Sequence, residues 1–311
     1  MTEMTALRAH RRGGPEVLVV ERAPVPVPAA GEVLVAVHAA AITFDELTWE
    51  ETWTRDGVSR TPVIPSHEVS GVVAEIASGV EDFVPGDEVY GLIDFDRDGG
   101  AAEFVAVPEA DLASKPSTLS HAAAAALPLA GLTALQALAD HAATQPGESV
   151  LVHGGAGGVG ALAVQLAAGD GAQVTATIRS DAVELVRGFG AQRVIDVRTE
   201  AFDEGGAYDI VIDTVGGETL HRSFGVLRRG GRLVTLSAPP PADTADQYGV
   251  TAIFFIVTPN RAQLAELAAL VDSGRLQVPI AETFPLAEGR QAFESGRRRN
   301  RRPGKTVLIV S

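Results

Sequence analysis

The chain has 311 residues, 46% of them hydrophobic and 21% charged, which is enough for two packed domains and too apolar for a disordered chain. A formal charge of −15 repels nucleic acid and anionic membrane, so neither is an expected partner. The absence of cysteine excludes disulfides, thiolate catalysis and cysteine-held metal.

The N-terminus, MTEMTALRAHRRGG, lacks the charged-then-apolar layout of a signal peptide, and the protein is expected in the cytoplasm. The first third then reads as short strands. EVLVAVHAAAI (32–42), SGVVAEIAS (70–78), GDEVYGLI (86–93) and AAEFVAVP (101–108) are separated by proline and glycine, the pattern of a partly closed barrel or sandwich. HAAAAALPLAGLTALQALAD (121–140) is the best membrane candidate. Pro128, Gly131 and Gln136 interrupt it, so it reads as soluble helices.

From about Ser120 the pattern changes to strands alternating with helices. SVLVHG (149–154), QVTATIRS (173–180), RVIDV (193–197), YDIVIDTVG (208–216) and GRLVTLSAP (231–239) read as strands. GALAVQLAAGDG (160–171), DAVELVRGFG (181–190) and ETLHRSFGVLRRG (218–230) read as the helices between them. The strands are continuous apolar runs, as expected where both faces of a parallel sheet are covered. VTAIFFIV (250–257) adds a strand, NRAQLAELAALVDSG (260–274) a helix, and KTVLIVS (305–311) a last strand that returns to the first domain. The expected fold class is α/β: a β-barrel domain from residues 1–119 and 273–311, and a doubly wound parallel-sheet domain from 120–272.

Five glycines fall between Gly154 and Gly160. The spacing Gly155-x-Gly157-x-x-Gly160, between an apolar strand and a helix, matches the dinucleotide fingerprint. Its first glycine allows a tight turn, its second lets backbone approach a pyrophosphate, and its third lets helix and strand pack closely. Backbone N–H groups of Ala156, Gly157, Gly158 and Val159 would then face the anion at the helix N-terminus. A carboxylate about 20 residues further on would select the ribose 2′-hydroxyl of NAD. The second strand instead ends in Thr177-Ile178-Arg179-Ser180, a cation and a hydroxyl that suit a 2′-phosphate, so NADPH is the expected cofactor. The alternative is a solvated Arg179 with Ser180 or Asp181 capping the next helix.

With VHGGAGGVG (152–160), AAALPLAGLTALQAL (124–138), IPSHEVSGVVAEIASGVEDFVPGDEVYG (64–91) and PGKTVLIV (303–310) in this order, the chain resembles the medium-chain dehydrogenase/reductase superfamily, in its zinc-independent quinone oxidoreductase branch. The resemblance covers nearly the whole chain. It implies a GroES-like barrel domain, a Rossmann domain, an active site in the cleft between them, and a homodimer formed by edge pairing of Rossmann sheets. It also implies that Thr133, Phe255 and Ile256 lie near the nicotinamide. Thr214 and Val215, after the strand YDIVID, and Ser237, after GRLVTL, are further candidate cofactor contacts.

The zinc-dependent relatives hold their metal with a cysteine, a histidine and a second cysteine. Those positions match Thr43, His67 and the neighbourhood of Leu129 here, so no metal is expected. Three polar residues remain as catalytic candidates. Thr43 would stabilise a developing oxyanion. His67 is either a proton donor or a leftover ligand held by hydrogen bonds. Tyr90 either faces the substrate or packs in the barrel. The basic run GRRRNRRPGK (296–305) is expected to be a solvated loop. Without a Lewis acid, the chemistry expected of this chain is hydride transfer from NADPH to a small, already electrophilic acceptor, a quinone or an α,β-unsaturated carbonyl. A zinc alcohol dehydrogenase and a non-catalytic NADPH-binding protein are the competing readings.

Overall fold

A computed structural model describes residues 2–204, 206–298 and 301–311. Arg299 and Asn300 of the basic run lie outside the described residues. The chain divides into two compact units. One consists of Met1–Leu129, Thr258–Ser273 and Val278–Ser311, the other of Ala130–Val257 and Gly274–Gln277.

The first unit is built on a seven-stranded sheet. Its path runs Ile280–Pro285, Lys305–Ile309, Glu32–Ile42, Glu68–Ile76, Glu88–Leu92, Leu112–Ser114, with Phe104–Pro108 pairing beside Glu32–Ile42. The last strand, Lys305–Ile309, does return here, antiparallel to Glu32–Ile42. Valines at 33, 35, 37, 69, 73, 89, 105 and 107 fill the interior, and each fully buried side chain of this size contributes about 1.5–3 kcal/mol. A Cβ on Gly71 would lie 2.1 Å from Ala36 O, so the crossing of these two strands requires a glycine there. An N-terminal hairpin, Glu3–Ala9 with Leu18–Pro24, and the strand Ile280–Pro285 complete the unit; none of the three stands out as an apolar run in the sequence.

The second unit carries a six-stranded, wholly parallel sheet. Its order is Arg193–Asp196, Gln173–Ile178, Ser149–His153, Tyr208–Asp213, Leu227–Thr235, Thr251–Phe254. The first strand in sequence sits third, and the order reverses beside it, which is the doubly wound Rossmann arrangement. Val150, Leu151, Val152, Val211 and Ile212 are fully buried, so the uninterrupted apolar runs reflect coverage on both faces.

Three expectations are corrected. The unit boundaries fall at 129/130 rather than 119/120, and the helix Arg261–Asp272 joins the barrel unit. Asp272 accepts four hydrogen bonds from the backbone N–H and hydroxyl groups of Ser117 and Thr118, and Arg261 pairs with Asp82, which ties that helix to the barrel. The segment 227–230 is not a helix tail: the strand starts at Leu227, and its register shifts over the Gly230–Gly231 pair, where Gly230 has φ +77°. VTAIFFIV is a strand only over Thr251–Phe254. The segment 121–140 forms short helices, and no helix among the described residues is long and apolar enough to cross a membrane.

Candidate functional site

The glycine turn follows directly from the end of the first Rossmann strand. Gly154, at φ +75°, turns the chain, and the helix Gly158–Gly169 starts with Gly157 as its N-cap. A Cβ on Gly155 would lie 2.8 Å from Ala176 Cβ, and one on Gly160 would lie 2.1 Å from Gly154 O. These two glycines are demanded by the protein's own packing. A Cβ on Gly157 would press only on Gly154 O, at 3.2 Å. Its bare face is therefore left for something outside the chain. Gly158 and Val159 occupy the first helical turn, where N–H groups lack partners within the helix, and Ala156 precedes them in the turn. A nicotinamide dinucleotide's pyrophosphate fits this cradle.

His153 fixes the turn from beneath. It is fully buried, with Nε2 3.0 Å from Ser223 Oγ and Nδ1 3.1 Å from Thr177 Oγ1. Ser223 donates its hydrogen to Thr219 O, so it accepts from Nε2–H. Thr177 then donates to Nδ1 and accepts from Gly154 N at 3.3 Å. The imidazole is neutral in this network, and burial pushes its pKa down to about 4.

Of the other candidate cofactor residues, Thr214, Val215, Ser237, Phe255 and Ile256 follow the carboxyl ends of strands of the same sheet, and Thr133 lies on a helix. Thr214 donates to His153 O at 2.8 Å, and Val215 beside it is exposed. Asp213, buried, accepts from the backbone of Val215 and Gly216 and from Thr235 Oγ1, which fixes that loop. Ser237 lies against Gly216, where a Cβ would come within 2.6 Å of its own Cβ. Phe255 packs on His141 with ring centroids 4.2 Å apart, and Ile256 next to it is exposed. Thr133 is buried in the helix Pro128–Leu135.

At the end of the second strand Arg179 is exposed, while Ser180 Oγ is buried with no partner among the described residues. The capping alternative does not hold: the helix Val183–Gly188 is capped at Ala182, without a side-chain bond. The Asp181 carboxylate goes instead to Arg198, at 2.6 Å, and Arg198 also grips Asp196 through Nε and Nη2. Arg198 is missed by a reading of the sequence. Its signal is its place just past the strand Arg193–Asp196, the parallel neighbour of Gln173–Ile178.

In the barrel unit, two of the three catalytic candidates are occupied. Tyr90 is fully buried and donates to Leu264 O at 2.5 Å; burial raises its pKa further out of reach. It packs in the barrel, the second of its two readings, with its hydroxyl hydrogen already given to that carbonyl. His67 is 3% exposed, with Nδ1 2.8 Å from Glu46 Oε2 and Nε2 3.2 Å from Arg97 O. With both ring nitrogens engaged, His67 is the hydrogen-bonded residue of the second alternative and not a free acid. Thr43 is half-buried, and its hydroxyl accepts from Lys305 Nζ at 3.1 Å. Lys305 also pairs with Glu68, whose other oxygen accepts from Leu129 N at 3.0 Å. In the sequence, Lys305 stands out only as the first residue of the last strand.

Among its described residues the basic run is solvated at Arg297, Arg298 and Arg302, as expected, and departs from this at Arg301 and at Lys305. Arg298 pairs with Glu282 and Arg297 with Glu16. Arg301 lies 4.0 Å over the Phe44 ring, where burial lowers its pKa.

Known proteins agree with this architecture. Residues 29–117 match the alcohol dehydrogenase GroES-like domain, and residues 189–308 match the family described as zinc-binding dehydrogenase. The quinone oxidoreductase of Mus musculus is 29% identical over 99% of this chain and 98% of its own. The NADPH-dependent alkenal/one oxidoreductase, chloroplastic, of Arabidopsis thaliana is 33% identical over 98% of this chain and 79% of its own. The solved quinone oxidoreductase from Coxiella burnetii superposes with a TM-score of 0.90 at 31% identity, covering 100% of both chains. With a GroES-like unit, a Rossmann unit and a dinucleotide turn on one chain, the protein belongs to the medium-chain dehydrogenase/reductase superfamily of nicotinamide-dependent oxidoreductases, in its quinone oxidoreductase-like branch.

Proposed function

We propose that the protein is an NADPH-dependent oxidoreductase that passes hydride, without a metal, to a quinone or an α,β-unsaturated carbonyl. The observation that carries the metal-free reading is the donor set at the three positions that hold zinc in the zinc-dependent relatives. Thr43 offers a hydroxyl already bonded to an ammonium, His67 has both nitrogens engaged, and the neighbourhood of Leu129, from Leu127 to Gly131, has no side chain with a ligand atom. Zinc takes three good protein ligands and a water, and a neighbouring lysine repels it. These residues do not fit a zinc ion.

When bound, the nicotinamide supplies a hydride to the electrophilic carbon of the acceptor, whose carbonyl oxygen takes the displaced electron pair as an enolate or hydroquinone anion. The chain's own part is to hold the dinucleotide by the Gly155–Gly160 turn and to hydrogen-bond the acceptor oxygen through Thr43. With His67 and Tyr90 both occupied, the proton that completes the reaction comes from water.

The preference for NADPH is supported by Arg179 and by the engagement of Asp181 with Arg198, which together set two guanidinium groups beside the second strand's end. The acceptor class is supported by the names of the mouse and Arabidopsis relatives. This reading also carries a cytoplasmic homodimer paired along the Thr251–Phe254 edge, which sedimentation would check. The decisive experiment follows NADPH oxidation with a quinone, an enone and a simple ketone, each with and without chelator. Chelator-insensitive turnover of the quinone or enone alone is expected; turnover of the ketone that a chelator abolishes would overturn the reading.

A further inference from the structure

The contact between Thr43 and Lys305 assigns protons as well as positions. An ammonium only donates, so in the 3.1 Å contact the Thr43 oxygen is the acceptor. The hydroxyl hydrogen must point elsewhere, and Thr43 Oγ1 makes no other hydrogen bond among the described residues. Thr43 is half-buried, so that hydrogen is available to a ligand. Lys305 is itself held in place. Its side chain is 10% exposed and ion-paired to Glu68, which is 1% exposed and tied to Leu129 N through its other oxygen. A lysine fixed in this way has little rotamer freedom left to lose.

We infer that Lys305 is a positioning residue for an oxyanion site: it donates to the Thr43 oxygen, turns the Thr43 hydroxyl into a directed donor, and polarises it toward the enolate or hydroquinone oxygen of the acceptor. The chain Leu129 N–H, Glu68, Lys305, Thr43 joins the first of the positions that hold zinc in other members of the superfamily to the neighbourhood of the third. The electrophilic help a metal gives there is supplied here by a hydroxyl backed by a buried cation. Hydrogen bonds polarise one another along such a chain, and the effect is largest where water is excluded. Glu68 keeps the cation from being an isolated buried charge. The chemical assignment of the oxyanion rests on the reductase reading; the geometry of the donor does not.

The test uses the full chain and 4-nitrophenolate, a stable aryl oxyanion, as the probe, titrated at a pH where it is ionised. Wild type, Thr43→Val, Thr43→Ser, Lys305→Met and the Thr43→Val/Lys305→Met double variant are compared. Thr43→Val is nearly isosteric at a half-buried position and is expected to fold. Lys305→Met leaves Glu68 without its cation, so Lys305→Met/Glu68→Gln is the companion that removes both charges. Thr43→Val and Lys305→Met are each expected to weaken phenolate binding about tenfold, Thr43→Ser to restore it, and the double variant to be no weaker than either single one. Turnover of an enone should fall about 100-fold in kcat in Thr43→Val, with KM little changed. Unaltered phenolate binding in Lys305→Met and its companion, or losses that simply multiply in the double variant, would overturn the inference even in an active enzyme. If instead every variant and the wild type fail to reduce any quinone or enone while the phenolate pattern holds, the oxyanion site stands and the reductase reading falls.

Discussion

His67 Nδ1 lies 2.8 Å from Glu46 Oε2, and both side chains are 1% exposed. The same oxygen accepts from Ser66 N at 2.9 Å, and His67 Nε2 must donate to Arg97 O because a carbonyl only accepts. Both ring nitrogens are thus engaged inside the barrel. His67 faces Phe95 edge-on at 5.3 Å, which closes the remaining side. A histidine that stands in the sequence like a catalytic acid is thus part of the barrel's polar framework.

Replacing His67 by alanine leaves the buried Glu46 carboxyl with the Ser66 N–H but without its imidazole partner. Breaking such a pair from one side costs about 3–5 kcal/mol, to be measured by urea unfolding. The shape of the kcat–pH profile should not change. Loss of an ionisation from that profile would return His67 to the role of acid.

The glycines of the dinucleotide turn separate into two kinds. Gly160→Ala puts a Cβ 2.1 Å from Gly154 O and should destabilise the fold by about 1–3 kcal/mol or more. Gly157→Ala meets only Gly154 O, at 3.2 Å, so the melting temperature should move little. NADPH affinity, titrated by cofactor fluorescence, should fall at least about tenfold, because the methyl occupies the face left for the pyrophosphate. Equal thermal losses in the two variants would refute this division.

On the proposed NADPH reading, Arg179 and Arg198 would act on the 2′-phosphate in different ways. Arg179→Ala should weaken NADPH about tenfold and leave NADH unchanged, since a charge-assisted bond to phosphate is worth about 1.5–3 kcal/mol. Arg198→Ala releases Asp181, now an unpaired carboxylate beside the site, and should shift the NADPH/NADH preference further in the same direction. Parallel Kd measurements for both cofactors check the pair; identical losses for NADPH and NADH would disprove it.

His153 sets an acid limit on stability. Its folded pKa, lowered to about 4 mainly by burial, lies below the ordinary 6.5. Between these values the unfolded chain binds a proton that the folded chain does not. Stability therefore declines as pH falls from about 6.5 to about 4, by about 3 kcal/mol in all, and this contribution is flat above 6.5. His153→Asn should remove that step from urea-unfolding curves taken across the range, even if it lowers stability at neutral pH. A variant that keeps the full step would assign it to another group.

What is legible in the sequence is whatever the backbone demands locally. The Gly155–Gly160 spacing states its own turn, because only glycine tolerates those approaches. The continuous apolar strands state a sheet covered on both faces. The alternation of strand and helix from Ser120 states the parallel order. The hairpin of Glu3–Ala9 with Leu18–Pro24 is hard to see because both strands mix polar and apolar residues with exposed positions. The strand start at Leu227 is hidden by Arg228, Arg229 and a glycine pair that reads as a stop.

By itself, then, the sequence determined the fold class and the glycine turn, which rest on short-range rules of spacing and hydropathy, and it carried the motifs by which the chain resembles its family. Only the tertiary structure decided which polar residues are free to act. Tyr90 meets Leu264 across 174 residues, His67 meets Glu46 across 21, and Thr43 meets Lys305 across 262. A hydrogen bond depends on distance in space, and chain separation carries almost none of that information. Whether a buried group is a donor in waiting or already bonded is therefore settled only when the sheet closes and brings its ends together.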